Sequence, residues 1–342
     1  MKIQLFIAID DSDYLDHLSQ VLAEQYADTF EVSACSLVDR LKDITENHRF
    51  DVALLSPDLS KQVPLQMAKL TLILWDGTER EDLSRQNLIR KYQRISAIVS
   101  EILRQYAEVS NDRIGFQSDR AYITAVWAPS GGCGKTTVAL AYAAQKVSEG
   151  KKTVYLDLEP FSSVPLYFAQ NGKSLSSVFE RLDGNIQLLL RSIQQEDSAS
   201  GILYFCRPDN YDDIQALTSE DVTMLANAGA EGADELVLDL GSTYDLKIRA
   251  LLELADRVFL VYDASRTSQI KLEQFRSQHD LFERIVNKTV FIINKGSYAM
   301  ESQNDQTIVL PQVQSEDPVV IYKTLSGGYF NKQNAAEAVP RG

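Results

Sequence analysis

"APSGGCGKTT", residues 128–137, follows the apolar run "AYITAVW" (121–127) and opens the helical pattern "KTTVALAYAAQKVSEG" (135–150). A strand, a glycine-rich turn and a helix that begins Lys-Thr-Thr form an anion cradle. Backbone N–H groups of the turn and of the helix N-terminus converge there on phosphate oxygens. Gly131, Gly132 and Gly134 allow close approach and φ values closed to other residues. Lys135 is placed to reach β- and γ-phosphates and Thr136 to hold Mg²⁺, with Cys133 and Thr137 completing the cradle. A standard loop of this kind carries its first glycine at position 129, where this chain has Pro129.

Outward from the loop, the pattern alternates. "KTVYLDLEP" (152–160), "ILYFCRP" (202–208), "ELVLDLG" (235–241), "RVFLVYD" (257–263) and "KTVFIINKG" (288–296) read as strands. Helical stretches at 218–228, 245–255 and 267–284 separate them. Strands divided by helix-length segments imply a parallel sheet with right-handed crossovers, a doubly wound α/β layout. The first part of the chain repeats this logic independently. Its expected strands are 2–9, 30–36, 50–56 and 69–75, with helices at 13–26, 37–48 and 90–109. The polar stretch 110–120 reads as a linker, and 326–342 as a poorly ordered tail. The expectation is thus α/β with two doubly wound parallel-sheet domains, residues 1–109 and 121–325.

Length and composition agree. A chain of 342 residues suits two domains, each with its own core. The formal net charge of −14 argues against nonspecific binding to nucleic acid. Cys35, Cys133 and Cys206 show neither zinc spacing nor a disulfide framework, as expected of a reducing cytoplasm. The N-terminal stretch reads as a strand rather than a signal peptide, and no apolar run approaches the roughly 20 residues that span a bilayer.

"SGGCGKTT" resembles the deviant Walker A loop of the MinD/ParA family of P-loop ATPases, usually Lys-Gly-Gly-x-Gly-Lys-Thr-Thr. Three later segments keep that family's order: "TVYLDLEP", "ELVLDLG" and "VFIINKG". The resemblance covers roughly residues 121 to 312. It implies ATP and Mg²⁺ as cofactors and a homodimer that sandwiches nucleotide. In that reading Asp239 reaches Mg²⁺ through water, and Asp157 and Glu159 flank the attacking water. Asn294 reads adenine. Each residue also has a plainer reading: Asp157 as a cap after a strand, Asp239 at a turn, Asn294 at a simple strand end. Two departures stand out. Ser130 occupies the position of the family's signature lysine, and Glu159 that of the Asp in its Asp-Pro pair. Serine has no charge and no reach. An arginine finger, the analogous device, is worth about 10³–10⁵ in rate. Slow or absent hydrolysis is therefore expected.

The first domain resembles a two-component receiver, a flavodoxin-like fold. Asp10 and Asp11 end its first strand, where receivers bind Mg²⁺. The phosphoacceptor position is Ser56, Trp75 stands where receivers have Ser or Thr, and Lys91-Tyr92 replaces Lys-Pro. Serine cannot form the receiver's acyl phosphate, so this is read as a pseudo-receiver. A pseudo-receiver followed by a MinD/ParA-like domain resembles the CpaE/TadZ proteins of Flp (Tad) pilus assembly. The implied function is an ATP-binding localisation or assembly factor for that secretion system. It would be cytoplasmic and homodimeric, docked on pilus components through its pseudo-receiver, and placed by them at a cell pole or the inner face of the membrane. No nucleic acid and no direct membrane anchor is expected. Alternatives are a ParA/MinD-like partition or positioning ATPase, a membrane-bound division-site regulator, a true response regulator and a nucleotide-independent adaptor.

Overall fold

The computed structural model describes residues 2–35, 49–62, 65–78, 87–110, 121–182, 185–296 and 307–330. The helix expected at 37–48 lies outside the described residues, as do 111–120 of the expected linker and 331–342 of the expected tail. The chain divides into two compact units, residues 1–117 with 181–192, and 118–180 with 193–342.

The first unit holds a five-stranded parallel sheet in the order β2-β1-β3-β4-β5. β1 (Ile3–Ala8) and β3 (Phe50–Leu55) are buried along nearly their whole length, as parallel strands covered on both faces must be. β2 is Phe30–Cys35, β4 Ala68–Trp75 and β5 Leu88–Arg90. The helix Ser12–Gln25 starts where Asp11 accepts a hydrogen bond from the Tyr14 amide. The expected helix 90–109 is corrected. Leu88–Arg90 adds a fifth strand, and the helix is Ile95–Val109. Asp51, near the start of the central strand β3, is buried and fully partnered. It accepts from the Gln4 amide (2.9 Å) and the Tyr106 hydroxyl (2.9 Å), and pairs with Lys69 (3.1 Å). The segment 181–192, with most of the helix Ile186–Ile193, groups with this unit. There Arg191 Nη1 donates to Thr29 Oγ1 at 2.7 Å and Arg181 pairs with Glu108 at 2.6 Å.

The second unit is built on an eight-stranded sheet, β13-β12-β11-β6-β10-β7-β9-β8. All neighbours are parallel except the terminal pair β8–β9. β6 (Tyr122–Trp127) lies between β10 (Glu235–Asp239) and β11 (Arg257–Tyr262), so the strand order reverses at it. Such a reversal opens a crevice at the carboxyl ends of the strands. β7 is Thr153–Asp157, β12 Thr289–Gly296 and β13 Thr307–Pro311. The expected strand 202–208 shrinks to β9 (Leu203–Tyr204), flanked by β8 (Gln195–Glu196). The expected helix 267–284 divides into Arg266–Arg276 and His279–Ile285. At the start of the expected tail, Phe330 is buried, stacks on Phe259 and donates its backbone N–H to Gln145 Oε1. Among the described residues no helix is long and apolar enough to cross a membrane.

Candidate nucleotide site

The loop after β6 reaches the N-terminus of the helix Lys135–Ser148. Gly134 caps that helix at φ +90°, and Gly132 takes φ +77°. These are left-handed conformations that side chains resist. A Cβ on Gly134 would also lie 2.2 Å from Asn294 Nδ2, whereas one on Gly131 would meet open space. Asn294, at the end of β12, explains the first restriction. Its Nδ2 donates to the Cys133 carbonyl at 2.9 Å, and its Oδ1 accepts from the Lys295 amide at 3.0 Å. Cys133 is packed beneath the loop, where burial pushes its thiol pKa up.

Lys135 is almost buried. Its Nζ donates to Ser242 Oγ at 2.9 Å and pairs with Glu159 Oε1 at 3.2 Å. Ser242 in turn donates to the Ser130 carbonyl at 3.1 Å. Ser242 escaped the sequence reading; the available signal was a hydroxyl three residues past the strand-end acid Asp239. Ser130 points inward. It is 4% exposed, and its Oγ lies 2.9 Å from Ser268 Oγ. The position that carries lysine in the resembling family thus serves the core here.

Asp157 and Asp239 end neighbouring strands in direct register. Asp239 is fully buried; Tyr155 donates to its Oδ2 at 2.8 Å, while Oδ1 has no hydrogen-bond partner among the described residues. Burial, reinforced by the charge of Glu159, raises the Asp239 pKa to about 7. Burial and then the Asp239 charge push Asp157 well above the ordinary carboxylate range. Asp157 accepts from Ser162 Oγ (2.5 Å) and the Glu159 amide (2.8 Å), which closes the turn that carries Glu159.

The loop, Lys135, Glu159, Ser242 and Asn294 line a cavity of about 610 Å³. Gly131, Gly132, Gly134, Lys135, Thr136, Thr137, Glu159, Ser242, Asn294 and Lys295 form its polar side, and Pro311, Val313, Ile321 and Leu325, interleaved with Gln312 and Ser315, the more apolar one. That division suits a ligand with an anionic and an aromatic end. The orphaned Asp239 Oδ1 beside Thr136 fits a water-linked Mg²⁺, and Lys135 with the helix N-terminus fits phosphates. Among the described residues no cluster of three or more His, Cys, Asp or Glu forms a separate metal site.

In the first unit, the receiver positions are differently arranged. Lys91 Nζ pairs with Asp11 Oδ2 at 2.8 Å and lies over the Tyr14 and Tyr92 rings. That contact lowers the Asp11 pKa. Ser56 is buried, its Oγ without a hydrogen-bond partner among the described residues. The acid pair thus faces a built-in cation.

Residues 1–107 match the family described as TadZ-like, receiver domain. Comparison with curated proteins finds no match. Among solved structures, a ParA family ATPase from Chlorobium tepidum TLS is similar with TM-score 0.51 and 19% identity, over 65% of this chain and 94% of that one. The septum site-determining protein MinD of Pyrococcus horikoshii OT3, solved with Mg-ADP, gives TM-score 0.46 and 12% identity, over 64% of this chain and 100% of that one. A putative plasmid partition protein of Borrelia burgdorferi B31, solved with AMPPNP, gives 0.47 and 15%, over 63% and 100%. The first unit thus matches a TadZ-like receiver domain, and the second shares its fold with a ParA family ATPase.

Proposed function

We propose that the chain is an ATP-binding positioning factor of CpaE/TadZ type that serves assembly of a Flp (Tad) pilus, dimerises, and hydrolyses ATP slowly or not at all. The observation that carries this reading is the convergence of Lys135, Thr136 and the buried Asp239 at one glycine loop, in a chain whose other unit is TadZ-like. Lys135 and the backbone of Gly131–Thr137 hold the phosphates, and Asn294 keeps the loop in shape. Thr136 would hold Mg²⁺ directly and Asp239 through water. When bound, Mg²⁺ neutralises charge on the β- and γ-phosphate oxygens.

The inward-facing Ser130 supplies no cation to a partner's phosphates. Glu159 is displaced one methylene from the usual aspartate and is engaged with Lys135. Small displacements of positioning groups cost on the order of 10²-fold in rate. Both features favour a nucleotide-sensing scaffold over a rapid ATPase. The Lys91–Asp11 pair and Ser56 make the first unit a docking module without phosphoryl chemistry.

Calorimetry and phosphate release on the purified chain with Mg²⁺ test this, with Lys135→Ala as control. Tight binding lost in the variant, with negligible phosphate release, is expected. Equal affinity in the variant refutes the site. Fast turnover favours the ParA/MinD-like partition or positioning ATPase, which the fold also supports. Loss of piliation on deletion, restored by wild type but not by Lys135→Ala, tests the cellular role.

A further inference from the structure

Ser130 is held at both of its polar ends. Its Oγ lies 2.9 Å from the Oγ of Ser268, itself buried on the helix Arg266–Arg276. Its carbonyl accepts from Ser242 Oγ at 3.1 Å. The Cys133 thiol lies 3.4 Å from the same carbonyl and 3.7 Å from that of Val261, near the end of β11. The start of the loop is thus fastened to β11 and to the turn that follows it. That turn is built to present Ser268. Asp263 Oδ1 accepts from the Ser265 amide (3.0 Å) and hydroxyl (2.5 Å), and Ser265 Oγ caps the helix by accepting from the Ser268 amide (3.3 Å). The Asp263 amide donates to Ser268 Oγ at 3.3 Å. A hydroxyl so placed keeps its own proton and a second lone pair for Ser130.

The two serines are 138 positions apart, so neither the loop nor the turn makes this contact alone. Buried hydroxyls have no water to fall back on, and removing one partner strands the other. The loop has particular need of an outside anchor. Gly131 and Gly132 follow Ser130 directly, and glycine loses more freedom on ordering than any other residue. Order that the loop lacks beforehand has to be imposed when phosphate arrives, which weakens binding. We propose that Ser268 is a positioning residue of the nucleotide site. Its hydrogen bond to Ser130 latches the phosphate loop to the helix after β11 before nucleotide arrives. The serine at position 130 then has a task of its own, besides supplying no cation. This rests on the nucleotide-site reading above and deepens it.

The loop carries its own reporter. Cys133 is buried beneath it, and Cys35 and Cys206, also buried, serve as internal controls. The full chain is compared with Ser130→Ala, Ser268→Ala and the double variant. Without ligand, maleimide labelling of Cys133, mapped by mass spectrometry, should quicken about fivefold in each single variant, the worth of one hydrogen bond in local opening. Cys35 and Cys206 should label as in wild type. ATP–Mg²⁺ affinity by calorimetry should fall about fivefold in each. The double variant should be no worse than either single one, because the same bond is removed only once. Effects that multiply in the double variant overturn the proposal, as do Cys133 labelling and ATP affinity unchanged in both single variants. Faster labelling of all three cysteines together also overturns it, because Ser268 would then be holding the fold. If Lys135→Ala abolishes binding while the serine variants bind and label as wild type, the site stands and this inference alone fails. If wild type binds neither ATP nor ADP, both fall.

Discussion

A methyl group at Gly134 would collide with the amide of Asn294 and force a non-glycine residue to φ +90°. The conformation alone costs about 1–2 kcal/mol. Gly134→Ala should therefore lower the melting temperature by about 3–6 °C and abolish ATP binding. Gly131→Ala, with open space around its Cβ, should leave the melting temperature unchanged; equal behaviour of the two by scanning calorimetry would contradict the loop geometry. The loop's glycines, Lys135 and Thr136 were legible because a cradle requires those residue types in that order. Ser242 and Ser268 were not. A serine has no spacing rule, and its use here depends on turns that meet only in the fold. Glu159 was legible as a carboxylate but not as the partner of Lys135, since that contact joins β7's turn to the loop. It too makes a prediction. A triphosphate on Lys135 contends with the Glu159 carboxylate, so Glu159→Gln should tighten ATP binding several-fold, read by calorimetry. Weaker binding would show instead that Glu159 supports the ligand.

Elements are joined below the site by a buried polar knot. Glu235 opens β10 and accepts from Thr124 of β6 (2.6 Å) and from Tyr142 of the helix that follows the loop (3.1 Å). Arg257 of β11 donates to the same Tyr142 hydroxyl at 2.7 Å. Burial dominates and raises the Glu235 pKa from 4.5 to about 7, against the lowering effect of Thr124, Arg257, Tyr142 and Lys146. A carboxyl with a raised folded-state pKa binds its proton more tightly when folded. Its contribution is complete below about pH 4.5 and is lost as pH rises through about 7. The amount is about 3 kcal/mol. Urea denaturation of wild type and Glu235→Gln across that window should show wild type losing about this much relative to the variant. A pH-independent difference would mean that Glu235 stays charged across the window, held by the nearby charge of Arg257. The knot illustrates what the sequence withheld at this scale. Strands built on an apolar run, such as β1, β3, β6 and β10, announced themselves. Short ones did so in part or not at all: β9 is only part of the strand expected at 202–208, and β5 and β8, of three and two residues, owe their conformation to a neighbouring strand. β13 and the helix Pro318–Leu325, which form the cavity's apolar wall, likewise went unread.

Across the whole molecule the governing number is the net charge of −14. Two copies that associate bring like charges together, and this long-range repulsion is screened as ionic strength rises. Nucleic-acid binding responds with the opposite sign. A protein that neutralises 6–10 phosphates loses about 10³–10⁵ in affinity between 50 and 200 mM salt. The two leading readings of the chain therefore separate on one axis. For a nucleotide-dependent dimer, light scattering with saturating ATP and Mg²⁺ should show the dimer fraction at fixed protein concentration rising as salt goes from about 50 to 200 mM. Lys135→Ala should stay monomeric throughout. A partition-type ATPase should hold duplex DNA at the low end of that range and release it at the high end. DNA retention that vanishes with salt, in a chain this acidic, would locate a basic patch strong enough to overcome the bulk charge. It would also move the proposal from a pilus-positioning scaffold to a partition switch.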